Sequence, residues 1–99
     1  MDYAQLLYGL NEGFLQRIKP NYRAIAIGYQ NGDLKTIVYC DTFPQDEDDL
    51  DNLKEAVSEA ESLIENVKGV FVEVIYSEEP IGKLNKLDFW YFLRYDAEL

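Results

Sequence analysis

Residues 45–52 read QDEDDLDN, and five of these eight side chains are acids: Asp46, Glu47, Asp48, Asp49 and Asp51. Clustered carboxylates can pass protons, hold a hard cation, or meet a basic surface. Proton transfer is poorly served here. The sequence has no histidine, which removes the commonest general base and the commonest transition-metal ligand. Nineteen acids make some close carboxylate pairs unavoidable, so proximity alone does not argue for catalysis. A calcium loop needs acids at alternate positions, glycine at the sixth and glutamate at the twelfth. Counted from Asp46, Asp48 fits the third position, but Leu50, Asp51 and Val57 stand at the fifth, sixth and twelfth.

The remaining reactive group is the single cysteine, Cys40. It falls in a strand-like segment, where a lone thiol behaves as a small inert hydrophobe. One cysteine and no histidine cannot make a structural zinc site of the usual kind. The sequence contains no GxSxG, P-loop or GxGxxG. The expectation is a protein that is not an enzyme and needs no cofactor or metal.

Charge points to a partner instead. The chain has net charge −10, from 9 basic and 19 acidic residues. Residues 41–65 hold ten acids against Lys54, a net of −9, which leaves −1 for the other 74 residues. An anionic body is repelled by phosphate backbones and anionic lipid, so no nucleic-acid or membrane binding is expected. A basic protein partner would be steered toward it.

The first acids have a local explanation. Carboxylates in a first helical turn interact well with the helix dipole, by about 0.3–1 kcal/mol each, which accounts for Asp46 to Asp49. It does not account for Asp51, Glu55 and Glu59, which follow one another at i, i+4. Like charges at that spacing cost roughly 0.2–0.5 kcal/mol per pair. A helix shaped for stability alone would carry lysines there, so these acids read as a partner-binding face.

The elements that position this face can be read along the chain. Residues 2–19 are expected to be helical, with Tyr3, Leu7, Leu10, Phe14 and Ile18 on one face and Pro20 ending the helix. Gly9 and Gly13 weaken that helix and could break it into two pieces. Residues 22–30 and 34–41 are rich in β-branched and aromatic types and flank Asn31-Gly32, the pair that suits a type I′ hairpin turn. Alternation puts Arg23, Ile25, Ile27 and Tyr29 on one face, and Tyr22, Ala24, Ala26 and Gly28 on the other.

Residues 46–67 are expected to form the main helix, with a stripe of Leu50, Leu53, Val57, Ala60, Ile64 and Val67 and Gly69 as C-cap. Strands follow at 70–77 and 86–95. The fold class is therefore α+β: a two-layer α/β sandwich in the order α-β-β-α-β-β, a four-stranded mostly antiparallel sheet with both helices on one face. Ninety-nine residues make a single domain, residues 1–99. The aromatics of the last two strands do not alternate cleanly. Tyr76 and Trp90 are accordingly candidate anchors on a partly open sheet face.

One cysteine allows no internal disulfide, which fits a reducing compartment. The start, MDYAQLLYGLNEG, has neither a basic leader nor a long apolar run, so neither a signal peptide nor a membrane span is expected, and the location is expected to be cytoplasmic.

The phrases IKPNYRAIAIGY, LKTIVYCD and VFVEVIY, with an acidic helix between the last two, resemble small bacterial immunity proteins of contact-dependent growth inhibition and related toxin systems. The likeness covers most of the chain and rests on structural phrases rather than a catalytic signature. It implies a bacterial toxin inhibitor, or antitoxin-like protein, that works by protein–protein interaction. The implied partner is a basic cognate toxin domain, with a nuclease the expected kind, because a nuclease presents a basic cleft to its substrate.

The expected partner-binding residues are Asp46, Glu47, Asp48, Asp49, Asp51, Glu55 and Glu59, with Tyr76 and Trp90 as anchors. Alone, the protein is expected to be a monomer or weak dimer. The competing expectation is a structural or assembly protein that forms a homo-oligomer through an open aromatic sheet face.

Overall fold

Asn31 and Gly32 take φ values of 54° and 86°, the two left-handed positions that a type I′ turn requires. They join β1 (Tyr22–Gln30) to β2 (Asp33–Cys40), with Gln30 paired to Asp33 across the turn. The structure is a computed structural model that describes residues 3–42, 47–64 and 67–94. Its remaining elements are α1 (Tyr3–Gly13), α2 (Glu47–Ser62), β3 (Gly69–Tyr76), a 3-10 turn at Ile81–Lys83, and β4 (Phe89–Leu93).

The four strands lie in the order β3-β2-β1-β4. β1 is antiparallel to both β2 and β4, while β2 and β3 run parallel. The parallel pair follows from connectivity. α2 carries the chain back along the sheet, so β3 must enter at the end where β2 began. Both helices cover one face. Leu6, Leu10 and Phe14 from α1 and the following turn meet Leu53, Ala56, Val57, Ala60 and Ile64 from the α2 region over Ile25, Ile27, Leu34 and Val38. The opposite face is covered in part by residues 77–88. There Ile81 is fully buried against a cluster of Ala24, Ala26, Ile37 and Tyr39, with Leu84, Leu87 and Trp90 packed around it.

Five details differ from the sequence expectation. The first helix ends at Gly13 and gives way to a turn, and its buried side is Leu6, Leu10 and Phe14, while Ile18 is exposed. Gly9 and Gly13 explain the shift, because they form the contact with α2. A Cβ on Gly9 would stand 2.8 Å from the Ala60 carbonyl oxygen, and one on Gly13 would overlap the Ala56 carbonyl oxygen. The main helix ends at Ser62 instead of 67, closed by short-range bonds from Leu63 N to Ala60 O and Ile64 N to Glu61 O. Gly69 is the first residue of β3 rather than a cap, and its amide donates to the Gly32 carbonyl.

The other two details are bulges. Tyr22 pairs with Cys40 but Ala24 pairs with Tyr39, so Arg23 is an extra residue and Tyr22 turns to the helix-covered core beside Ile25 and Ile27. In β4, Ile25 pairs with Phe92 and Ala26 with Trp90, so Tyr91 is the extra residue. Tyr91 and Phe92 therefore both pack toward the helices while Trp90 packs on the other face. This second bulge is why the aromatics do not alternate, and it confines the last strand to five residues.

Candidate partner-binding surface

α2 buries Leu53, Ala56, Val57 and Ala60 and leaves Asp51, Lys54, Glu55, Ser58 and Glu59 exposed. The i, i+4 row of Asp51, Glu55 and Glu59 thus forms a ridge on the outward side. Glu47, Asp48 and Asp49 occupy the first turn of the helix. Asp46 lies outside the described residues, as do Pro44, Glu65 and Tyr95.

The ridge is not uniformly charged, because a cation reaches it from another element. Arg17, in the turn after α1, donates from Nη1 to Glu59 Oε2 at 2.9 Å and from Nη2 to Glu59 Oε1 at 3.0 Å. The same Nη1 donates to the Gly13 carbonyl at 2.8 Å, and Nη2 lies 4.0 Å from Glu55. The hydrogen bonds hold the Glu59 carboxyl below the ordinary carboxylate range and raise Arg17. Sequence reading counted only cations on the helix itself and so missed Arg17. The nearest sequence signal is the small-residue pair Gly9 and Gly13, which brings the end of α1 against α2. A second neutralising pair ties Arg94 to Asp41 at 2.7 Å. Arg17 and Arg94 thus each offset part of the acidic charge, and Asp51 stays exposed on the outer side of α2.

Topology adds to it. α2 starts just after β2 ends, and β3 ends beside β2, with Tyr76 opposite Cys40. The first turn of α2 and the segment that leaves β3 through Glu78 and Glu79 therefore gather at one end of the sheet. Tyr76 sits there, half-buried, and its hydroxyl donates to Glu78 Oε1 at 2.7 Å, which raises the phenol pKa. Trp90 does not join this group. It lies on the other face, half-buried, with its ring 5.9 Å from that of Tyr39 in an edge-on arrangement. The structure thus brings Tyr76 to the acidic end and sets Trp90 apart from it.

Among the described residues no three metal-ligating side chains cluster, and no helix is long and apolar enough to cross a membrane. Cys40 is buried, and burial, then the nearby Asp41 charge, pushes its thiol up to about 11.

A family model described as MafI2 immunity protein matches residues 3–96. The chain belongs to the MafI2 immunity protein family. The match spans both helices and all four strands. Membership of an immunity family gives the protein a toxin-neutralising role and a protein toxin as its partner, and immunity proteins are generally non-catalytic. Among the curated proteins searched, none matches the chain.

Proposed function

We propose that this immunity protein acts in the cytoplasm by binding a basic toxin domain, a nuclease, through the acidic end and outer ridge of α2. The observation that carries this reading is the concentration of charge. Residues 41–65 hold a net of −9 within a chain of −10, and Asp51 and Glu55 stand exposed. A nuclease domain must hold phosphates, so it presents Lys and Arg around its cleft. A negative surface on the inhibitor raises the encounter rate and opposes substrate for the same ground. Nothing in this role requires catalysis, a cofactor or a metal.

The contact residues on this reading are Glu47, Asp48, Asp49, Asp51 and Glu55, with Asp46 just ahead of them. Glu59 acts mainly by holding Arg17, and Tyr76 supplies an aromatic edge at the same end. The homo-oligomer reading through an open aromatic face is weakened by the cover that residues 77–88 place over Trp90 and its neighbours.

The test is to mix the purified protein with the toxin domain encoded by the neighbouring reading frame and measure nucleic-acid cleavage. A 1:1 complex and loss of cleavage are expected. A toxin domain with no nuclease activity, or one bound equally well in molar salt, contradicts the proposal.

A further inference from the structure

β3 is an edge strand, and among the described residues no strand lies beyond Val70, Val72 and Val74. Proteins normally blunt such edges with short strands, prolines, bulges or several charges. The opposite edge, β4, is short and bulged. β3 is neither. It pairs with β2 over eight consecutive positions with no register shift, from Asp33↔Gly69 to Cys40↔Tyr76. Its sequence, GVFVEVIY, has no proline and a single charge, Glu73.

The parity of the open edge is fixed by the bonds at both ends of the ladder. Gly69 N donates to Gly32 O at 3.3 Å and Ser77 N donates to Cys40 O at 3.1 Å. In a parallel ladder alternate residues turn their amides to the same side. Odd-numbered residues of β3 therefore face β2, and Val70, Val72 and Val74 turn N–H and C=O outward. The side chains of these valines pack into the helix-covered core, so the edge is held rigidly. On the other face of the strand Phe71 is 54% exposed and Glu73 is exposed, with Ile75 half-buried beyond them. A groove of about 450 Å³ runs inward from there, lined by Lys35, Ile37, Phe71, Glu73, Asn85 and Leu87.

We infer that the toxin partner adds an extended segment to β3, continuing the sheet to a fifth strand. This rests on the immunity reading and names how the partner is held. Main-chain bonds to Val70, Val72 and Val74 supply the pairing, and the alternate side chains supply the choice of partner. The added strand must present apolar residues beside Phe71 and Ile75 and a Lys or Arg beside Glu73. Charge selects this occupant over a second copy of the chain, which would bring another net charge of −10 and another Glu73 to the same edge.

Residue-resolved amide exchange by NMR, on the protein alone and with the toxin domain encoded by the neighbouring reading frame, tests this. Alone, the Val70, Val72 and Val74 amides exchange quickly while those of Phe71, Glu73 and Ile75 are protected. In the complex the three valine amides slow by about a hundredfold or more. Glu73→Lys, a change at an exposed position whose folding is checked by circular dichroism, weakens binding by about tenfold. A complex in which the valine amides stay fast overturns the edge docking and leaves the immunity reading intact. Absence of any complex overturns both. Protection that grows with protein concentration in the absence of toxin assigns the edge to a second copy and overturns the partner named here.

Discussion

Arg17 grips Glu59 with two hydrogen bonds, at 2.9 and 3.0 Å, across 42 residues of sequence. The pair ties the turn after α1 to the last turn of α2, and it neutralises one member of a ridge that would otherwise be a continuous row of acids. The Arg17 bonds depress the folded-state pKa of Glu59. A depressed carboxyl contributes stability above its unfolded pKa and loses that contribution as pH falls through the folded value. Arg17→Gln is expected to raise the Glu59 titration midpoint toward that of an ordinary glutamate, read from carboxyl-carbon NMR shifts. An unmoved midpoint would mean that the grip does not persist in solution.

Tyr22 and Cys40 give the opposite sign at high pH. Burial pushes the Tyr22 phenol up to about 12 and the Cys40 thiol up to about 11. A raised folded-state pKa contributes stability that is complete below the unfolded value and lost as pH climbs through the folded one. Urea unfolding is therefore expected to show stability falling from about pH 9 upward, by up to ~1.4 kcal/mol per pH unit for each group as it enters its window. Cys40→Ala should flatten the lower part of that fall. A profile level to pH 11 would contradict the burial of both groups.

Gly13 packs directly against α2. Alanine ordinarily favours a helix interior by about 1 kcal/mol over glycine, but here the added methyl meets the Ala56 carbonyl oxygen and, at 3.1 Å, the Ala60 Cβ. Both are fixed parts of α2, so the overlap should win. Gly13→Ala is expected to lower stability by roughly 1–3 kcal/mol in urea titrations. A stabilised variant would show that α1 and α2 stand further apart than described.

The cover over the second face depends on Ile81 and Arg23. Arg23 donates to the carbonyls of Ser77 at 2.5 Å and Glu79 at 2.7 Å, pinning the segment that carries Ile81 onto the sheet. Tyr39 adds a bond from its hydroxyl to the Asn85 carbonyl at 2.8 Å. Ile81→Ala is expected to cost roughly 2–5 kcal/mol. Arg23→Gln should cost less and should shift the emission of Trp90, the only tryptophan, to the red as the cover loosens. Unchanged emission would place Trp90 outside that cover.

The hairpin, the apolar stripe of α2 and the two-layer α+β class were legible because each rests on short-range pattern: the Asn-Gly pair, the 3.6-residue period, and alternation. The immunity resemblance was legible for the same reason, since it rested on strand and helix phrases. What did not show in the sequence were features that depend on contacts distant along the chain. The bulges at Arg23 and Tyr91 are set by pairing with other strands, and each shifts the alternation beyond it. Gly13 ends α1 and Gly69 opens β3 because of what lies beside them, α2 in one case and the Gly32 turn in the other. Arg17 meets Glu59 only after the helices dock, so charge counting along α2 alone overstated the ridge.

On the proposed mechanism, negative charge at the start of α2 captures the toxin. The most direct measurement is the association rate with the toxin domain, followed by stopped flow at low and high salt, for the natural chain and for a variant carrying Asp48→Asn, Asp49→Asn and Asp51→Asn. The rate for the natural chain is expected to fall by at least about tenfold between low and high salt, and the variant is expected to be slower at low salt and less sensitive to it. Equal rates for the two proteins at low salt would contradict it.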